Sequence, residues 1–89
     1  MIHEFTKLLG VTPQQMIEKN NKPEIAEVRF LYAKLRYEKQ DYNYSEIARE
    51  LKRSPATIMH AVKRANDLLA IGDEKFTEKW KIVRGLREW

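Results

Sequence analysis

The run Ser45-Glu46-Ile47-Ala48-Arg49-Glu50-Leu51, then Lys52-Arg53, then Ser54-Pro55-Ala56-Thr57-Ile58-Met59-His60-Ala61, decides the fold of this chain. Ser45 is a candidate N-cap, and Ile47 and Leu51 fall one turn apart on the short helix that follows it. Ser54-Pro55 repeats the signal in a stronger form. A hydroxyl stands ready to cap the helix, and a proline follows where its missing N–H is no loss. The second helix runs to about residue 70, with Ile58, Ala61, Val62, Ala65, Leu68 and Leu69 on its apolar side. A four-residue connector, 52–55, joins the two. Ala48 is small and lets the second helix approach closely. Residues 45–64 thus have the layout of a helix-turn-helix within a helix pair spanning 45–70.

Working outward, the rest of the chain also reads as helices separated by glycine, proline and asparagine. Residues 1–9 form a short amphipathic piece with Ile2, Phe5, Leu8 and Leu9 on one side, stopped by Gly10. Thr12-Pro13 starts a second short helix that points Met16 and Ile17 inward, and Asn20-Asn21 breaks it. Pro23 opens a long helix to about residue 39, with Ile25, Val28, Leu31, Tyr32 and Leu35 on one face. Glu24 and Glu27 suit its positive N-terminal end. Asp41-Tyr42-Asn43-Tyr44 is a polar turn. Gly72 stops the helix that began at Ser54-Pro55, and a last helix over 73–88 carries the stripe Phe76, Trp80, Val83 and Leu86. No alternating strand pattern is present. The expectation is one all-α domain over 1–89, of about six helices, three of them long.

Composition excludes several kinds of chemistry. The chain has 89 residues and no cysteine, so its small core rests on helix packing, without disulfides or a Cys-based zinc site. His3 and His60 are far apart and lack an i, i+4 partner, which argues against a metal site. No cofactor is expected. Ser45 and Ser54 have no His-Asp arrangement around them. Glu46 and Glu50 lie one turn apart, with Arg49 and Lys52-Arg53 close by, which reads as surface pairing rather than acid–base work. No catalytic residue emerges, so an enzyme is not expected. No run approaches the ~18 apolar residues of a membrane span, and a soluble cytoplasmic protein with no membrane partner is the default.

Charge is more informative by position than in total. Lys and Arg number 17 against 13 Asp and Glu, a net charge of +4. Residues 52–64 hold four basic residues, Lys52, Arg53, Lys63 and Arg64, and no acidic one, so this segment accounts for the whole excess. A local acid-free stretch of this kind favours lying against phosphates. On the second helix Thr57, His60 and Arg64 share one face, flanked by Ala56, Lys63 and Asp67. Such a helix presents its N-terminal residues to the major groove, where base edges are read. The amides at the Ser54 cap make a phosphate site. His60 either reaches DNA or sits half-buried and hydrogen-bonded. Tyr42 and Tyr44 either stack on bases or fold back as lids over the helix pair. Trp80 reads as core, and Trp89 docks, frays or meets a partner. The mixed charges of the last helix read as a solvated face. The plain alternative for the whole pattern is an ordinary helical pair with a solvated charged face.

At this point the sequence resembles the C-terminal DNA-binding domain of the DnaA-type bacterial chromosomal replication initiator, a Trp-repressor-like helix-turn-helix. Gly10-Val11-Thr12, Met16-Ile17-Glu18-Lys19 and the stretch from Lys22 to Arg29 follow that domain's start without a gap. Spacing holds on to Ser45-Glu46-Ile47. Arg53-Ser54-Pro55-Ala56-Thr57-Ile58-Met59-His60-Ala61 aligns with the family's signature helix, roughly Arg-Asp-His-Thr-Thr-Val-Leu-His-Ala, across a one-residue deletion. The likeness covers about residues 3–70. It departs where the family reads bases: Ser54, Pro55 and Ala56 replace the Asp-His-Thr group, and only Thr57 is kept. A twin glycine is reduced to Lys52. Asn21, Pro23 and Glu27 replace family arginines, leaving Lys22 and Arg29, the latter matching an arginine that reaches the minor groove.

The resemblance implies binding to double-stranded DNA, in replication initiation at an origin, replication control or transcription regulation. Lys22, Lys52, Arg53, Lys63 and the Ser54–Ala56 cap would meet phosphates. Thr57, His60 and Arg64 would meet bases, and Arg29 the minor groove. The initiator's ATPase domain is a candidate parent, although no Gly-x4-Gly-Lys-[Ser/Thr] loop occurs here. The chain is then a free-standing relative or an excised piece. The competing reading is a protein–protein interaction module that kept the fold and lost DNA reading.

Overall fold

The computed structural model describes residues 1–19 and 22–87. Six α-helices are present among them, and no strand: α1 Ile2–Leu9, α2 Pro13–Ile17, α3 Pro23–Lys34, α4 Tyr44–Leu51, α5 Pro55–Ala70 and α6 Glu74–Val83. The Asn20-Asn21 break and Trp89 lie outside the described residues. No helix among the described residues is long and apolar enough to cross a membrane.

Local chemistry sets most of the ends. Gly10 takes a left-handed conformation (φ 71°) and turns its N–H back onto the last carbonyls of α1. Thr12 and Gln15 form a reciprocal capping box at α2. Ser54 caps α5, with Pro55 in its first turn, as the sequence predicts. α4 differs: its cap is Asn43, not Ser45. The Asn43 Oδ1 accepts the Glu46 N–H at 2.8 Å and the Glu46 carboxylate accepts the Asn43 N–H at 3.0 Å, so a capping box two residues upstream wins. α4 ends at Leu51 and α5 opens at Pro55, so the connector is 52–54, one residue shorter than expected. α6 is shorter than expected and ends at Val83, where the Leu86 N–H folds back onto the Val83 carbonyl.

α3 is the central element, packed on α2, α5 and α6, and its last turn widens into a π-helical stretch, Leu35–Lys39. The core joins Phe5 and Met16 to Val28, Leu31, Tyr32 and Leu35, then Ile47 and Leu51, Ile58 and Val62, and Phe76 and Val83. The Phe5 ring meets Tyr32 edge-on at 5.0 Å. Trp80 packs half-buried against this core, with the Lys34 ammonium 5.0 Å from its ring centre. Leu8 was expected to face inward with Ile2 and Phe5, but it is exposed: the α1 stripe is narrower than its apolar residues suggest. Tyr44 stacks on Tyr37 at 4.4 Å, and Tyr42 lies over the Arg36 guanidinium, so both tyrosines are lids on the protein.

Ala48 is buried at the α4–α5 crossing, 3% exposed, which is the close approach expected of it. Ala48→Leu overpacks that crossing and will cost about 1–3 kcal/mol, read as a lower unfolding midpoint. Lys52 closes α4 in the left-handed region (φ 53°), where a side chain is strained. Lys52→Gly will raise stability in denaturant titration by about 1 kcal/mol. Tyr32 is held neutral well above the usual phenol range, first by burial and then by the Glu50 charge. Its folded affinity for the proton exceeds its unfolded one, so the associated stability is full below pH ~10 and is lost as pH rises beyond it. Absorbance titration will show the Tyr32 phenol ionising only with unfolding, and Tyr32→Phe will flatten the alkaline loss of stability.

Candidate nucleic-acid interface

α5 buries Ile58, Ala61, Val62 and Ala65 and turns Ala56, Thr57, His60, Lys63, Arg64 and Asp67 to solvent. The divided surface read from the sequence is therefore present. His60 is exposed, which removes the half-buried alternative. Lys22, at the start of α3, and Lys52, in the turn, are exposed as well. Met59, 47% exposed, is an apolar residue that the sequence reading did not place beside this face.

The cap of α5 is narrower as an anion site than expected. The Ser54 Oγ accepts the Thr57 N–H at 3.2 Å and pairs with the Thr57 hydroxyl at 2.9 Å. The Ile58 N–H bonds the Ser54 carbonyl. Pro55 has no N–H to offer, so Ala56 supplies the first-turn amide left for a phosphate.

The sequence reading turned Arg29 and Arg53 toward DNA; in the fold both guanidiniums bond backbone carbonyls. The Arg29 Nε donates to the Met16 carbonyl at 2.8 Å, and its Nη2 donates to Gln15 at 3.2 Å and Glu18 at 2.9 Å. The Arg53 Nη1 donates to the Ile17 carbonyl at 2.7 Å and to Leu51 at 3.0 Å, and its Nη2 donates to Glu18 at 2.8 Å. The cause is local. α2 is only five residues long and leaves carbonyls without intrahelical donors at its negative end. Two guanidiniums supply those donors and tie α2 to α3 and to the turn before α5. Burial, and next the adjacent Arg53 charge, lower the pKa of Arg29, against an opposing pull from Glu18.

Glu46 and Glu50 were expected to pair with Arg49 and Lys52-Arg53. Instead Glu46 is a cap, and Glu50 receives Arg36 (Nη2 to Oε2, 2.6 Å) and the Tyr32 hydroxyl (2.9 Å). The signal for this was Arg36, buried in the π-helical stretch after α3, but Glu50 lies fourteen residues away.

Beside the exposed face of α5, between it and α3, lies a cavity of about 290 Å³ whose lining is mostly apolar. Ala26, Phe30, Ile58 and Ala61 contribute to it, with Arg29, Arg53, Thr57, His60 and Arg64. A second, wider cleft of about 560 Å³ is lined by Lys39, Gln40, Arg84 and Leu86 among others. The first half of α3 faces the first half of α5 across this cavity, Lys34 bonds Asn66 further along both helices, and the wider cleft lies past the end of α3.

Comparison with known proteins agrees with this geometry. Residues 33–65 match the family described as "Helix-turn-helix domain". The match begins in α3 and takes in all of α4, the turn and most of α5. No curated protein and no solved structure matches the chain. The chain therefore carries a helix-turn-helix domain, with α5 as its second helix.

Proposed function

We propose that this chain binds double-stranded DNA through α5, as a relative of the DnaA-type initiator's C-terminal domain, in replication initiation or control or in transcription regulation. No ATPase or other enzymatic activity belongs to this reading, and its setting is the cytoplasm. The observation that carries it is the exposed, cationic second face of a helix-turn-helix. Thr57, His60 and Arg64 stand together there, in a segment with no acidic residue from 52 to 64. Thr57 and His60 meet base edges in the major groove, with Arg64 reaching a base or phosphate one turn on. Lys22, Lys52, Lys63 and the Ala56 amide meet phosphates. Arg29 and Arg53 act indirectly, by holding α2 against the turn that aims α5.

Ser54, Pro55 and Ala56, standing where the resembled family reads bases, favour a second reading: an interaction module that kept the fold. Gel-shift titration on random-sequence duplex across a salt series separates the two. Duplex binding will weaken as salt rises, and Arg64→Ala will reduce the log–log slope by about 0.9 where Arg64 contacts a phosphate. A base contact at Arg64 instead loses about 1–3 kcal/mol of discrimination at one base pair. No association at ~50 mM salt, where nonspecific affinity is strong, rejects duplex binding in favour of the interaction module.

A further inference from the structure

The cavity between α3 and the first half of α5 has no task in duplex binding. Its volume, about 290 Å³, sits at the small end of ligand pockets, which run from about 300 Å³ upward. Ala26, Phe30, Ile58 and Ala61 give it an apolar wall. Three guanidiniums, Arg29, Arg53 and Arg64, line it with His60, and no carboxylate does. The carbonyls of α2 hold and orient Arg29 and Arg53, and Glu18 offsets part of the Arg29 charge. Arg64 makes no hydrogen bond or ion pair among the described residues. Arg29 already loses proton affinity to burial and to its arginine neighbour. The apolar wall and the Arg64 guanidinium together select an occupant with an apolar body and one negative group. A cation is repelled, and a neutral polar molecule leaves the wall badly matched.

The geometry points to a small amphipathic carboxylate as the ligand of this cavity, its apolar body against Ala26, Phe30 and Ala61 and its carboxylate on Arg64. Thr57, His60 and Arg64 belong both to the cavity lining and to the exposed face of α5. An occupant therefore puts negative charge where a phosphate would approach, and it displaces the duplex. This second half rests on the duplex-binding reading, whereas the ligand site does not.

The probe is 3-phenylpropionate, titrated into the ¹⁵N-labelled protein without DNA, with 3-phenylpropionamide as the uncharged control. Saturating shifts at the Ala26, Phe30 and Ala61 amides are expected, with the amide roughly tenfold weaker for want of the charged hydrogen bond. Ala26→Leu fills the cavity, abolishes these shifts and retains duplex binding. Should that variant fail to fold, Arg64→Gln decides, because it brings the carboxylate down to the affinity of the amide. Equal binding of carboxylate and amide, shifts centred on Lys39 and Arg84, or no saturation would overturn the ligand site. In a duplex gel shift, 3-phenylpropionate will weaken binding by the wild-type protein and leave Ala26→Leu unaffected. Ligand shifts without any duplex binding keep the site and reject the DNA reading. Simultaneous binding of both rejects the competition.

Discussion

The guanidinium of Arg36 is the contact on which the arrangement of the helices depends. It is buried, 3% exposed, and donates to both Glu50 oxygens, to the Tyr32 hydroxyl and to Gln40 Oε1, with the Tyr42 ring 4.0 Å from its centre. Gln40 in turn donates to the Leu86 carbonyl. One side chain thus links α3, α4 and the segment after α6. Desolvation alone would weaken its charge; the hydrogen bonds to Glu50 and Tyr32 and the Glu50 charge outweigh that and raise its pKa. A buried pair of this kind gains little net free energy, because desolvation consumes most of the attraction. Its force is in the alternatives. Any other placement of α4 leaves a charge buried without a partner, which costs several kcal/mol. The π-helical turn serves the same group, since the Tyr42 N–H reaches the Arg36 carbonyl at 3.0 Å and brings Tyr42 over the guanidinium. Once α4 is fixed, the short turn and α5 follow.

Three more cations are consumed inside the fold. Arg29 and Arg53 close the carbonyl end of α2, and Lys34 is 7% exposed between Glu38, Asn66 and the Trp80 ring. A count of basic residues therefore overstates what a polyanion meets. Within 52–64, Lys52, Lys63 and Arg64 remain at the surface, while Arg53 is drawn inward. The exposed face still carries no acid until Asp67, so its sign is unchanged and only its strength is less.

What was legible in the sequence was local or periodic. Ser54-Pro55 marks α5 correctly because a cap and a first-turn proline act within four residues. Ile47, Ala48 and Leu51 point inward because helical spacing places them. Ser45 misled for a reason equally local: Asn43 with Glu46 makes two bonds where a serine would make one. Arg29, Arg53, Arg36 and Glu50 were illegible as structural residues because each has partners eleven to thirty-six residues away along the chain. A guanidinium that will hold a carbonyl and one that will hold a phosphate look identical in a sequence. The match over residues 33–65 begins inside α3, the helix on which α5 packs.

The same diversion explains the cavity. α3 and α5 meet through small side chains, Ala26 on one and Ala61 on the other, beside Phe30. Of the three arginines at this gap, Arg29 and Arg53 end on the carbonyls of α2. Their charged ends are thereby held at the gap while its apolar wall stays uncovered. A fold with disulfides or a larger core would tolerate such an opening easily, but a chain of 89 residues without cysteine has little apolar area to spare. The helix pair is instead held from the other side, by Arg36 and the Ala48 crossing. α5 packs extensively on α3, so the opening is confined to the first half of α5, next to the face that would approach a duplex. A carboxylate in this gap changes the charge beside Arg64, whereas a neutral occupant does not.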